Sequence, residues 1–287
     1  MLIIIYILIV FAMVAQSATT KLFHRACPHS ALFNAIKSCT AFLLFALAAA
    51  FDFTLHPPTV LFGAAYGACL CISMYAGYQA LCHGPMALTS MLVSFSVVFP
   101  LIWGITVGNE TLTPLQYPAL VLLLIAIILT NGDKILSGGK DSAQTCYGKW
   151  LLFVFITFTC NGICSVLQKQ HQTLYPEAYS KEFMFFAMLL CSVIFLIAAW
   201  RKISPKNLRS VKGKRYGVLS GLSNGIANFL ILILAGMENA SVLFPIISVG
   251  TILSALLCGR LLFGEKLRIN HYAALAAGIT AGVLLKL

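Results

Sequence analysis

The sequence predicts an all-α polytopic membrane protein of ten transmembrane helices arranged as two inverted five-helix repeats. Composition, ten bilayer-length apolar runs and an internal duplication lead to that fold class. Of the 287 residues 60% are hydrophobic and 9% charged, and the mean hydropathy is +0.93. A soluble core needs far less apolar surface, whereas one bilayer-crossing helix takes about 20 apolar residues. The runs are continuously apolar and rich in Leu, Ala and Ile, unlike the alternating strands of about 10 residues that build barrels.

The first repeat covers 1–131, with spans expected near 2–20, 30–50, 59–82, 84–107 and 114–131. Its opening run ends in Ala15-Gln-Ser-Ala18, which imitates a signal cleavage site, but no basic segment precedes it and the run reads as a span. A polar stretch rich in turn formers, Asn131 to Gln144, marks the connection, assigned to 132–146. The second repeat covers 147–287, with spans near 147–167, 183–200, 216–236, 240–259 and 270–285.

The duplication shows at both ends of each unit. Glu110-Thr-Leu-Thr-Pro-Leu-Gln-Tyr117 and Glu265-Lys-Leu-Arg-Ile-Asn-His-Tyr272 are polar elbows at equal topological positions, before the fifth and the tenth span. Ser17-Ala-Thr-Thr-Lys21 lies on Ser165-Val-Leu-Gln-Lys169 in the same way. Five spans is an odd number, so the second unit enters the bilayer from the opposite side and the repeats are inverted.

The net charge of +11 is placed for lipid headgroups and not for nucleic acid. All Lys and Arg except Lys169, Lys181 and Lys286 fall on one set of alternate loops, above all Arg201 to Arg215. The positive-inside rule puts that face in the cytoplasm of a cell (plasma or inner) membrane and both termini outside. The ten cysteines fall mostly inside spans, where thiols act as small apolar groups. His24, Cys27 and His29 form an incomplete ligand set in a short loop, and no metal or cofactor is expected.

At this point the chain resembles the drug/metabolite transporter superfamily, specifically ten-span proteins built from two EamA-type units. The resemblance rests on the Ser-x3-Lys ending of span one, the basic Lys37 in span two, Phe99-Pro100 in span four, the Gly264-Glu265 elbow and the small-residue run Tyr272 to Gly282. It departs in span five, which lacks the usual glycine, and in span nine, where Ala255 takes the place of Pro100. Relatives usually carry cytoplasmic termini, whereas the charge pattern here points the other way. The resemblance implies alternating access by two rocking units, with spans three, four, eight and nine walling a midplane cavity.

Polar groups inside spans turn toward the bundle interior or a water-filled cavity. The candidates for a solute cavity are Gln16 and Lys37 from the first two spans, Tyr75, Tyr78 and Gln79 from the third, and Ser94 and Trp103 from the fourth. Asn161, Asn224 and Asn228 come from the second repeat, and Asn34, Ser96 and Ser248 are further polar positions. Tyr75, Tyr78 and Gln79 share a helix face by their spacing, as do Asn224 and Asn228. The plainer alternative is that these groups hydrogen-bond neighbouring helices. Lys37 enters about 10 Å beyond the start of its span at 1.5 Å per residue; it either snorkels to headgroups or faces the cavity and favours a carboxylate or phosphate. Lys21 and Lys169 read as interfacial anchors, and Glu110 and Glu265 as caps of the helix that follows each elbow. Gly217-x3-Gly221-x3-Gly225 reads as a close helix contact.

All eight acidic residues fall at or near span ends. A proton-coupled exporter of cationic drugs in this superfamily would carry a Glu in span one, where this chain has Gln16. The resulting expectation is a secondary transporter of a small polar metabolite, neutral, zwitterionic or anionic and amino acid-like for example. The alternatives are a multidrug or organic-cation exporter and a channel, although no filter sequence is present. A membrane enzyme is disfavoured because no catalytic constellation lies in the spans. The expected partners are a small-molecule substrate and the lipid bilayer, with no nucleic acid, in a monomer or homodimer.

Overall fold

A computed structural model describes residues 2–263 apart from 27–28, 51–52, 85–88, 90–91, 111–112, 130–143, 177 and 203–212, together with 270, 272–273, 276–277, 280–281 and 284. The Glu265 elbow, Cys27, Pro85 and most of the Arg201 to Arg215 loop therefore lie outside the described residues. The chain is all-helical among those described. Its elements are α1 (Leu2–Ala26), α2 (Ser30–Ala49), α3 (Pro57–His83), a 3-10 turn (Phe95–Val97) running into α4 (Val98–Thr106), α5 (Gln116–Leu129), α6 (Gln144–Leu174), α7 (Ser180–Lys202), α8 (Lys214–Met237) and α9 (Ala240–Phe263). The described residues of 270–284 are also helical. Six of the helices, α1, α2, α3, α6, α7 and α8, are long and apolar enough to cross a membrane, with shorter apolar stretches at Leu92–Thr106 and Ala240–Ile252.

Local sequence explains several ends. Pro57 and Pro58 occupy the first turn of α3, where a missing N–H costs nothing. Gly213 takes φ +88°, a left-handed value that side chains resist, immediately before α8. The fourth span carries a 3-10 turn at Phe95–Val97, just before Pro100. Pro100 has no N–H for the Ser96 carbonyl one turn back, so the ladder tightens there. Helices α1 and α6 outrun their expected ends at 20 and 167, and in α6 the added polar residues Gln168, Lys169, His171 and Gln172 are buried.

Apolar side chains cover the outer faces. Ile3, Ile7 and Phe11 of α1 recur every fourth residue and are exposed, as is Trp200 at 83%. Inside, the contacts come in matched pairs: α1 packs on α8 and α6 on α3; α2 on α8 and α7 on α3; α1 on α9 and α6 on α4. Helices α2 and α7 pack on each other. Glycines set the closest approaches. A Cβ on Gly221 would stand 2.5 Å from the Lys37 carbonyl, and one on Gly67 2.7 Å from the Ala187 carbonyl. Gly217 and Gly225 face Ile36 and Ala41, so the glycine stripe of α8 is the α2 contact its spacing suggests.

Connections sort to two ends of the bundle. At one end His24 Nδ1 lies 3.2 Å from the Tyr78 hydroxyl, and Trp150 Nε1 donates to Thr89 Oγ1 at 3.0 Å. At the other end Glu182 Oε1 accepts the Thr54 N–H at 3.2 Å, and His56 stacks on Tyr179 with ring centroids 4.5 Å apart. Among the described residues the first connection also meets the start of α8 at the first end, where a Cβ on Gly213 would stand 3.0 Å from that of Ala26, and the second and sixth connections meet at the other.

Candidate functional site: a cavity with a polar lining

A cavity of 240 Å³ lies between the halves, walled by α1, α2, α3, the α4 region, α6, α8 and α9. Of the residues singled out from sequence, Gln16, Lys37, Ser94, Asn161, Asn224 and Asn228 line it, together with Ser96 and Ser248. The 3-10 turn at Phe95–Val97 borders it. Irregular backbone at membrane depth is tolerated where it faces protein or a water-filled cavity.

Five of the singled-out residues lie elsewhere. Tyr75 is 41% exposed on the outer face of α3. Tyr78 is buried with Phe23 and Phe33 near the end of the bundle. Gln79 Nε2 reaches Ser30 Oγ at 3.5 Å, also near that end. Trp103 sits beside Gly108 at the far end of α4 and is absent from the lining. The α3 face that borders the cavity carries Tyr66, Leu70, Ser73, Met74, Gly77 and Leu81. Two residues along a helix turn the side chain by about 200°, so Ser73 faces the cavity while Tyr75 faces away. Asn34 is likewise outside the lining; its Nδ2 donates to the Met74 carbonyl at 3.4 Å.

Residues that sequence reasoning missed complete the polar wall. Tyr66 donates its hydroxyl to Asn228 Oδ1 at 2.7 Å, and Gln168 Nε2 reaches the Tyr66 oxygen at 3.4 Å and the Asn228 carbonyl at 3.3 Å. Ser73 donates to Asn161 Oδ1 at 2.5 Å. Asn224 Nδ2 reaches Gln16 Oε1 at 3.4 Å, which ties α8 to α1 across the pair of repeats. The duplicated Ser-x3-Lys motif was the available signal for Gln168: Ser17 with Thr20, and Ser165 with Gln168, all line the cavity.

Lys37 is 4% exposed and lines the cavity, so it does not snorkel to headgroups. Among the described residues no hydrogen-bond acceptor or carboxylate pairs with its ammonium, and none of the described lining residues is Asp or Glu.

Next to Gln168 in the chain, an ionic tie joins α6 to the α8–α9 junction. Lys169 Nζ donates to the Ala235 carbonyl at 3.1 Å and the Glu238 carbonyl at 2.7 Å, with Glu110 Oε1 at 3.7 Å. Lys169 is thus buried, not the interfacial anchor its position at a span end suggests; desolvation there is offset by carbonyls and a carboxylate. Glu110 does cap a helix, but the helix is α9 and not the α5 that follows it. Its two oxygens accept the Ala240 N–H at 2.7 Å and the Ser241 N–H at 3.0 Å. A carboxylate at these unpaired amides satisfies two donors and complements the positive end of the helix dipole.

Residues 148–287 match the model of the EamA-like transporter family. A solved crystal structure, described simply as that of a protein, superposes with a TM-score of 0.70 at 12% identity, over 98% of this chain and 96% of the other. At that identity the likeness speaks to the fold alone. No curated protein matches the chain.

Proposed function

We propose that this multi-pass membrane protein, whose residues 148–287 match the EamA-like transporter family, is a secondary carrier. It moves a small polar metabolite, neutral, zwitterionic or anionic, by alternating access. The observation that carries the reading is the cavity at the junction of the halves, lined by amides and hydroxyls from α1, α3, α6, α8, α9 and the stretch before α4, and by one lysine. Its 240 Å³ falls below the roughly 300–1,000 Å³ of pockets for drug-sized ligands.

Two inverted five-helix units, 1–131 and 147–287, would form the moving parts. The matched contacts support this, since each pair between the halves has a partner obtained by adding or subtracting five from the helix numbers. Rocking of one unit against the other would expose the cavity to one end of the bundle and then the other. Basic loops facing the cytoplasm of the cell membrane, outward termini and a monomer or homodimer complete the reading. Its only partners are then the solute and the bilayer, with no nucleic acid.

Counterflow in proteoliposomes tests it, scored with labelled amino acids, nucleosides and organic anions. Saturable exchange accelerated by solute on the opposite side is the expected result. A non-saturating leak would make the protein a channel, and product formation without net transport an enzyme.

A further inference from the structure

Resting on the carrier reading, we infer that the cavity contains a subsite for the carboxylate of a small monoanionic hydroxy acid, built from Lys37 on α2 and Asn224 on α8. The two helices meet most closely at Gly221, against the Lys37 carbonyl, and Asn224 lies one turn further along α8. Both side chains line the cavity, with exposures of 4% and 2%.

Each carries an unmet requirement. The Lys37 ammonium has no acceptor or counter-charge among the described residues. Asn224 places its Nδ2 on Gln16 Oε1, while its buried Oδ1 has no donor. An uncompensated charge at this depth is costly unless something pairs with it, and a buried acceptor without a donor is costly for the same reason. The described lining offers no carboxylate, so a solute carboxylate is the partner that would hold Lys37 in its charged form.

Charge balance then selects among solutes. A monocarboxylate leaves the loaded cavity neutral. A zwitterion adds a second positive group with no carboxylate to receive it, and a dianion leaves a net negative charge. Rotation of the Asn224 amide would bring its donor-free Oδ1 to the solute, where a hydroxyl on the same molecule supplies a neutral donor.

The test uses the full chain in nanodiscs and follows its unfolding temperature with glycerate, glycolate, acetate, serine, glycerol and choline, since a ligand of the folded state raises it. Glycerate and glycolate are expected to give concentration-dependent rises that Lys37→Gln abolishes. Lys37→Arg, which keeps the charge and moves it, is expected to weaken the apparent affinity at least tenfold. Asn224→Ala is expected to lower the response to glycolate to that of acetate. Rises for the hydroxy acids that are equal in the wild type and both Lys37 variants would overturn the subsite. Serine or glycerol acting equally well with and without Lys37, while the hydroxy acids do nothing, would overturn it and leave the carrier reading standing. No response to any of the six overturns the subsite, and counterflow with other solutes then decides the carrier reading separately.

Discussion

Lys169 and Glu110 stand 3.7 Å apart, and between them they hold four chain segments together. The ammonium takes the last carbonyls of α8 while the carboxylate takes the first amides of α9, so α6, the α4–α5 connection and the α8–α9 junction meet at one buried pair. Removing one partner of such a pair leaves a buried charge and costs about 3–5 kcal/mol, whereas replacing both is often near neutral. Glu110→Gln alone is therefore expected to lower stability, and Glu110→Gln combined with Lys169→Met to recover part of the loss. A double-mutant cycle on thermal unfolding measures the coupling; additive losses would show that the two residues act separately.

Cys164 lines the cavity as a free thiol and is a native reporter of access to it. Labelling of Cys164 by a membrane-impermeant maleimide added from the Lys169 end, read by mass spectrometry, is expected to speed up several-fold in Lys169→Ala. An unchanged rate in a folded variant would mean that access to Cys164 from this end does not depend on the tie.

Tyr66 joins α3 to α6 and α8 through one hydroxyl. Tyr66→Phe leaves Asn228 Oδ1 without its donor at nearly constant side-chain volume, a loss of about 1–3 kcal/mol. A lower unfolding temperature with an unchanged helical circular dichroism spectrum is the expected result.

Gly221→Ala would push a Cβ into the Lys37 carbonyl and Thr40 and is expected to cost at least 1–3 kcal/mol, roughly the penalty of overpacking. Gly148→Ala in α6 meets nothing within 4 Å and should be neutral or stabilising by up to about 1 kcal/mol. Equal effects in thermal unfolding would contradict the close α2–α8 approach.

Tyr75→Phe and Trp103→Phe are expected to leave solute binding unchanged, since neither side chain lines the cavity. Ser73→Ala and Asn161→Ala are expected to weaken it, because they are hydrogen-bonded partners in its wall. Dose-dependent thermal stabilisation by whichever solute scores in counterflow compares the four variants.

Bilayer-length apolar runs by themselves determined that this chain is helical and crosses a membrane, because satisfying backbone polar groups in lipid leaves few other choices. They also placed Gln16, Asn161, Asn224 and Asn228 at the interior, since amides deep in a span rarely face lipid. The glycine spacing on α8 likewise announced a close contact without naming α2 as its partner. Tertiary structure alone decided the rotational phase of α3, which turned Ser73 and Tyr66 inward and Tyr75 outward: its polar and aromatic residues surround the helix, so no single face stands out. It alone decided that Glu110 caps a helix 130 residues away and that Lys169 is buried beside it, because capping is a matter of which amides lie within reach and not of which come next in the chain. The fate of Lys37 was settled in the same way. Its depth along α2 was legible, but whether a four-carbon stem reaches headgroups or a cavity depends on the helices that surround it.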